Sequence, residues 1–212
     1  SYQSRDQNLN LMIGQAAADK NLSDNWDYLQ AAALYSEQRH DEAFEAFRAH
    51  AVKYPRSEKN EAVMYMISKL YLESLDEKDH SNVDADESET KLEEASEDKN
   101  KKWNAAFAAF QELMKRYPNG RYFNDARRWL GFLYKKNGDT AHAMAVYYSL
   151  LGHPTDRSVR LKAKFDLQYL GHDQTDATLD EVENLIANDP ETALAYAYHR
   201  IYNHAVDLSY TE

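Results

Sequence analysis

Apolar residues recur along this chain at spacings of three and four, the period of an amphipathic helix, and polar or turn-forming residues interrupt them at regular intervals. The pattern predicts a leading helix over 1–20 around Leu9, Leu11, Met12 and Ile13. It then predicts a helix N-capped by Asp24 that runs to about Ser36, and its partner from His40 to Lys53. Further helices are expected from about Glu58 to Leu75, in two stretches between Trp103 and Leu151, over Arg157–Leu170 and Thr178–Asn188, and from Glu191 to about Leu208. With only 6 Gly and 4 Pro in 212 residues, and few β-branched runs, the expected class is all-α.

Sliding the sequence against itself exposes a repeat. Glu42–Pro55 (EAFEAFRAHAVKYP) aligns with Ala105–Pro118 (AAFAAFQELMKRYP) at an offset of 63, with identity at 6 of 14 positions. The matched pairs are Ala43/Ala106, Phe44/Phe107, Ala46/Ala109, Phe47/Phe110, Tyr54/Tyr117 and Pro55/Pro118, and the same offset carries Ser68 onto Gly131 and Tyr71 onto Tyr134. Pro118, Pro154 and Pro190 are each 36 residues apart. The stretch between Pro55 and Pro118 therefore holds one period plus an insertion.

Leu130-Gly131-x-x-Tyr134, then Gly138, then Ala143-x-x-x-Tyr147 resembles the tetratricopeptide helix pair. In that motif the small residues mark the closest approach of two antiparallel helices, and the aromatics fill the space beside them. The resemblance implies a right-handed tetratricopeptide-like α-solenoid of about four to five helix pairs, since one pair cannot bury its apolar face alone. The expected organisation is a single domain over 1–212, with repeats near 24–55, 58–118 (insertion 76–99), 120–154 and 156–190, and capping helices over 1–20 and 191–208.

The Tyr-Pro turns after two helices (Tyr54-Pro55-Arg56-Ser57 and Tyr117-Pro118-Asn119-Gly120), followed by Gly138-Asp139 and Ala143, are similar to tetratricopeptide proteins of the bacterial envelope. The lipoprotein of the outer-membrane β-barrel assembly machine and the Tol-Pal coordinator share this look. The resemblance implies the periplasm or the periplasmic face of the outer membrane, with a cytoplasmic location as the alternative. A chain that starts at Ser without Met reads as a fragment or a processed form.

Net charge is −11, but Asp76–Asp98 alone carries 11 acidic residues against Lys78 and Lys91. The acidity belongs to the insertion, which leaves about −2 for the rest of the chain. The insertion is expected to form a protruding helical hairpin with a turn near His80 to Asp84, its second arm continuing as helix into Trp103. It is expected to be dispensable for folding, because so charged a segment buries little apolar surface.

Candidate chemistry is sparse. The sequence contains no Cys, so disulfides, thiolate catalysis and Cys-based zinc sites are excluded. It has no G-x-S-x-G, H-E-x-x-H or phosphate-binding glycine loop, and no enzyme activity is expected. No cofactor and no metal are expected: His199 and His204 are five apart and so on different helix faces, and Asp84-x-Asp86-x-Ser88 lacks the glycine and the distal glutamate of a calcium loop. Acidic residues outnumber basic ones 36 to 25, which disfavours nucleic acid.

The residues point instead to a binding scaffold. Counting from the close-contact positions puts Tyr28, Tyr65 and Arg128, then Lys69 and Phe132, on the inner face of successive first helices. With Lys135 they form the expected partner-binding set, a concave groove for a protein or peptide. Ala43, Phe47, Pro55, Ser68, Tyr71, Ala106, Phe110, Pro118, Leu130, Gly131, Tyr134, Ala143 and Tyr147 are expected to be structural. The alternative reading is a helical accessory domain of a larger enzyme or envelope complex. Oligomeric state is left open.

Overall fold

The computed structural model describes residues 20–75, 89–170 and 174–209. All regular structure among them is helical: α1 (Lys20–Ser36), α2 (His40–Lys53), α3 (Asn60–Glu73), α4 (Glu89–Arg116), α5 (Phe123–Lys136), α6 (Thr140–Gly152), α7 (Arg157–Tyr169), α8 (Asp176–Ile186) and α9 (Pro190–Ser209). The helix expected over 1–20 and the turn expected at His80 to Asp84 lie outside the described residues. From Glu89 the acidic stretch continues unbroken into Trp103 as α4. The chain forms two compact units, Ser1–Ala109 and Phe110–Glu212, with the boundary inside α4.

The offset of 63 is reproduced bond for bond in the backbone. Ser57 N–H donates to Tyr54 O and Gly120 N–H to Tyr117 O, both at 3.0 Å. Asn60 and Phe123 then donate to Ser57 O and Gly120 O, and Val63 and Ala126 to Lys59 O and Tyr122 O. The two Tyr-Pro turns are thus one structure made twice. Within pairs a second turn recurs: Arg39 donates to Leu34 O at 3.0 Å, and Asp139 to Tyr134 O at 2.9 Å. Gln38 and Gly138 take the left-handed conformation in these turns, with φ of 61° and 79°. Asp139 then caps α6 by accepting from His142 N–H.

In the first unit α1 packs on α2 and α2 on α3. Ala31, Ala43, Phe47, Val63 and Leu70 form the core, with Tyr28, Tyr35 and Phe44 among the half-buried side chains against it. Asp24, expected as an N-cap, lies inside α1, because that helix already runs from Lys20. Its carboxylate turns sideways to α2 instead of back along its own helix.

The second unit is organised around α6, which packs on α5, α7, α8 and α9. TAHAMAVYYSLLG is apolar on most faces, as a helix with neighbours on several sides must be. Ala143, Tyr147 and Leu150 are fully buried there, together with Ala163 of α7 and Val182 of α8. The last helix therefore docks back on α6 as well as on α8. A Cβ on Gly152 would stand 2.5 Å from the Glu191 carbonyl oxygen, so only glycine allows α6 to end against the start of α9.

Asp189 anchors that junction. Its carboxylate accepts from Thr192 N–H at 3.2 Å, Thr192 Oγ1 at 2.6 Å and His153 Nε2 at 2.7 Å. These bonds, Thr192 first, together outweigh the opposing effect of burial and hold its pKa at about 2. A depressed carboxylate pKa contributes stability that is present above the unfolded value of about 4 and is lost as pH falls through the folded one. Asp189→Asn is therefore expected to melt below the wild type at pH 5, with the difference closing as pH approaches about 2. A gap in melting temperature that stays constant across this range would refute the assignment.

Candidate functional site

The expected contact residues divide between the units: Tyr28, Tyr65 and Lys69 in the first, Arg128, Phe132 and Lys135 in the second. Tyr28 packs edge-on against Phe47 and His50, with both ring centroids at 6.1 Å, so much of its ring serves the α1–α2 contact. Beside it lies a polar cluster that the sequence did not announce. His50, fully buried, meets Asp24 Oδ1 through Nε2 at 2.6 Å, and Ser57 Oγ donates to Asp24 Oδ2 at 2.7 Å. Burial pushes the Asp24 carboxyl up, but Ser57, His50 and Lys59 together outweigh it and hold the pKa below the usual range. A nucleophilic serine needs its base on the hydroxyl. Here hydroxyl and imidazole bond opposite oxygens of one carboxylate, and the cluster ties α1, α2 and the following turn together.

On α3, Lys69 is half-buried and positioned. Its ammonium donates to Tyr35 Oη at 2.9 Å, sits 3.3 Å from Glu73 and lies 5.3 Å from the Tyr35 ring centroid. Tyr35 in turn donates to Glu73 at 2.6 Å. Burial would lower the Lys69 pKa, but Tyr35 and Glu73 outweigh it and raise it, so the side chain is a fixed cation. Tyr65 is half-buried on the same helix.

On α5, Arg128 has an internal partner. Its Nε lies 2.8 Å from Asp166 Oδ2 of α7, each side chain being 13% exposed. The two atoms are out of line for a hydrogen bond, so the contact is an ion pair without the added bond. The guanidinium also covers the Trp129 ring at 4.9 Å. The Tyr147 hydroxyl is buried near this pair without a hydrogen-bond partner among the described residues. Burial first, then Asp166, pushes its pKa up. Removing an unpaired buried hydroxyl removes its desolvation cost, so Tyr147→Phe is expected to be neutral or stabilising by up to about 1 kcal/mol in urea unfolding. A loss of more than about 1 kcal/mol would mean that the hydroxyl has a partner.

Phe132 and Lys135 lie on the partly exposed side of α5. Phe132 meets Trp129 edge-on at 5.7 Å, and the Lys135 ammonium sits 5.4 Å from the Tyr169 ring of α7. Tyr169 is 65% exposed and belongs to a stripe with Leu161 and Phe165, each 56% exposed. The sequence reading passed over this stripe, although its spacing of four was visible in RLKAKFDLQY. Among the described residues one group has metal-ligand chemistry: His153, Asp189 and Glu191 offer ligand atoms within 4.8 Å of one another. The Asp189 carboxylate there is already engaged by Thr192 and His153.

Antiparallel helix pairs joined by repeated turns, with all regular structure among the described residues helical, define a tetratricopeptide-like fold. The chain belongs to the YfiO family of outer membrane lipoproteins, whose model matches residues 19–162. No curated protein sequence matches it significantly. The family points to the cell envelope and to a role in contacts between proteins. Among the described residues no helix is long and apolar enough to cross a membrane.

Proposed function

We propose that this chain is a non-enzymatic interaction module at the periplasmic face of the outer membrane. It holds a protein or peptide partner through aromatic and basic side chains on the first helices of its pairs, in each unit by itself. Tyr65 and Lys69 of α3 and Phe132 and Lys135 of α5 make the contacts, while Tyr28 and Arg128 act from behind by fixing the helices that carry them. The observation that carries this reading is that two expected contact lysines are each held against a tyrosine ring of a neighbouring helix, Lys69 on Tyr35 and Lys135 on Tyr169. A cation fixed beforehand loses less freedom on binding, which favours affinity.

The test is affinity capture from an envelope extract with mass spectrometry, followed by titration of the captured protein. The double change Tyr65→Ala and Phe132→Ala is expected to weaken binding more than tenfold, about 1.4 kcal/mol, with unchanged helical circular dichroism. Unaltered affinity would move the site elsewhere. Capture of no envelope protein would end the reading.

A further inference from the structure

α7 carries two apolar stripes of the same spacing on roughly opposite sides. Val159, Ala163 and Leu167 are buried against the second unit's core, together with Asp166. Leu161, Phe165 and Tyr169 stand in solvent, 56–65% exposed, with Phe165 and Tyr169 tilted against each other at 4.6 Å. A surface helix normally has one apolar stripe. The second one is more than half exposed at each of its three residues.

Charge defines what would cover it. At 100° per residue Lys162 flanks the stripe on one side, and Arg157, Arg160 and Lys164 lie toward the other. All four are exposed. Lys135 from α5 adds a cation over Tyr169. The acidic residue of the helix, Asp166, is turned inward to Arg128. The face is therefore apolar along its centre and basic along both margins, in a chain of net charge −11.

We propose that the Leu161–Phe165–Tyr169 face docks an amphipathic helix of a protein partner, with apolar residues spaced four apart and Asp or Glu on both flanks. This deepens the interaction role proposed above and rests on it. A stripe one side chain wide along two turns matches the ridge of another helix. Pairing with a second copy of the same face would set basic margins against basic margins.

The test uses the full chain and a fluorescein-labelled synthetic helix of about 18 residues, long enough to hold helical structure, with Leu at every fourth position and Glu on the flanks. The same peptide with Lys for Glu serves as the control. The acidic peptide should bind in fluorescence anisotropy, weaken as salt rises, and lose at least tenfold in affinity with Phe165→Glu or with Lys162→Glu and Lys164→Glu together. The Lys peptide should not bind. No binding of the acidic peptide, equal binding of both peptides, or indifference to Phe165→Glu overturns the proposal. A Phe165-dependent dimer in sedimentation velocity, or Phe165-dependent flotation with vesicles of phosphatidylglycerol and phosphatidylcholine, overturns it in favour of a second copy or a membrane. If the captured envelope partner still binds Phe165→Glu at full affinity, this inference fails and the interaction role stands.

Discussion

Asp166→Ala is expected to cost about 3 kcal/mol, because it leaves the Arg128 guanidinium desolvated beside an apolar core with no counter-charge. Both side chains of the pair are 13% exposed, and they join α5 to α7. Replacing both, Arg128→Met with Asp166→Leu, should stay within about 1 kcal/mol of the wild type, because well-packed apolar groups substitute for a buried pair without loss. Hydrogen exchange read by mass spectrometry separates the cases. Asp166→Ala should lose protection in α5–α7 and leave α1–α3 unchanged, and the double variant should regain it. A single variant as protected as the wild type would mean that the pair is hydrated and contributes little.

The same pair shows where sequence reasoning stops. Counting back from Gly131 places Arg128 on the inner face of α5, and such a count cannot say which neighbouring helix meets that side chain. Its partner stands 38 positions later, in the α7 stretch, where the repeat pattern has faded. α7 presents the difficulty in its purest form. Val159, Ala163 and Leu167 have the same spacing as Leu161, Phe165 and Tyr169, so periodicity alone cannot choose the core stripe, and the packing of α6 decides it. His50 is hidden for a related reason: it looks like a surface histidine until Asp24 and Ser57 arrive from other segments.

What was legible was whatever the repeat forces to be small or apolar. Ala43, Phe47, Ala106 and Phe110, singled out by the offset of 63, are all fully buried. Ser68, aligned with Gly131, is buried too and satisfies its hydroxyl on Met64 O of its own helix. The Tyr-Pro and Gly-Asp turns were legible because their residues dictate local backbone bonds that need no distant partner. Packing positions repeat because each pair meets its neighbour in the same way, whereas contact residues differ from repeat to repeat and carry no periodic signal.

Gly131→Leu tests that repeat logic at its tightest point. A Cβ on Gly131 would lie 2.7 Å from Cε1 and 3.0 Å from Cζ of the Tyr147 ring, nearer than van der Waals contact allows. The ring cannot swing away, because Tyr147 is fully buried between α5 and the helices around α6. Leucine is therefore expected to cost about 3 kcal/mol by overpacking. Alanine should cost less, yet still measurably, and an exposed change such as Gln111→Ala should stay under about 0.5 kcal/mol. Tyr147→Leu by itself should also destabilise, by leaving part of the ring's volume empty. If the two side chains compete for one space, combining Gly131→Ala with Tyr147→Leu should cost less than the sum of the single changes, because each relieves the strain or the void made by the other. Additive costs in urea unfolding would show that Gly131 is required for some reason other than the approach of the Tyr147 ring, and would remove the structural basis for aligning Leu130-Gly131-x-x-Tyr134 with the tetratricopeptide pattern.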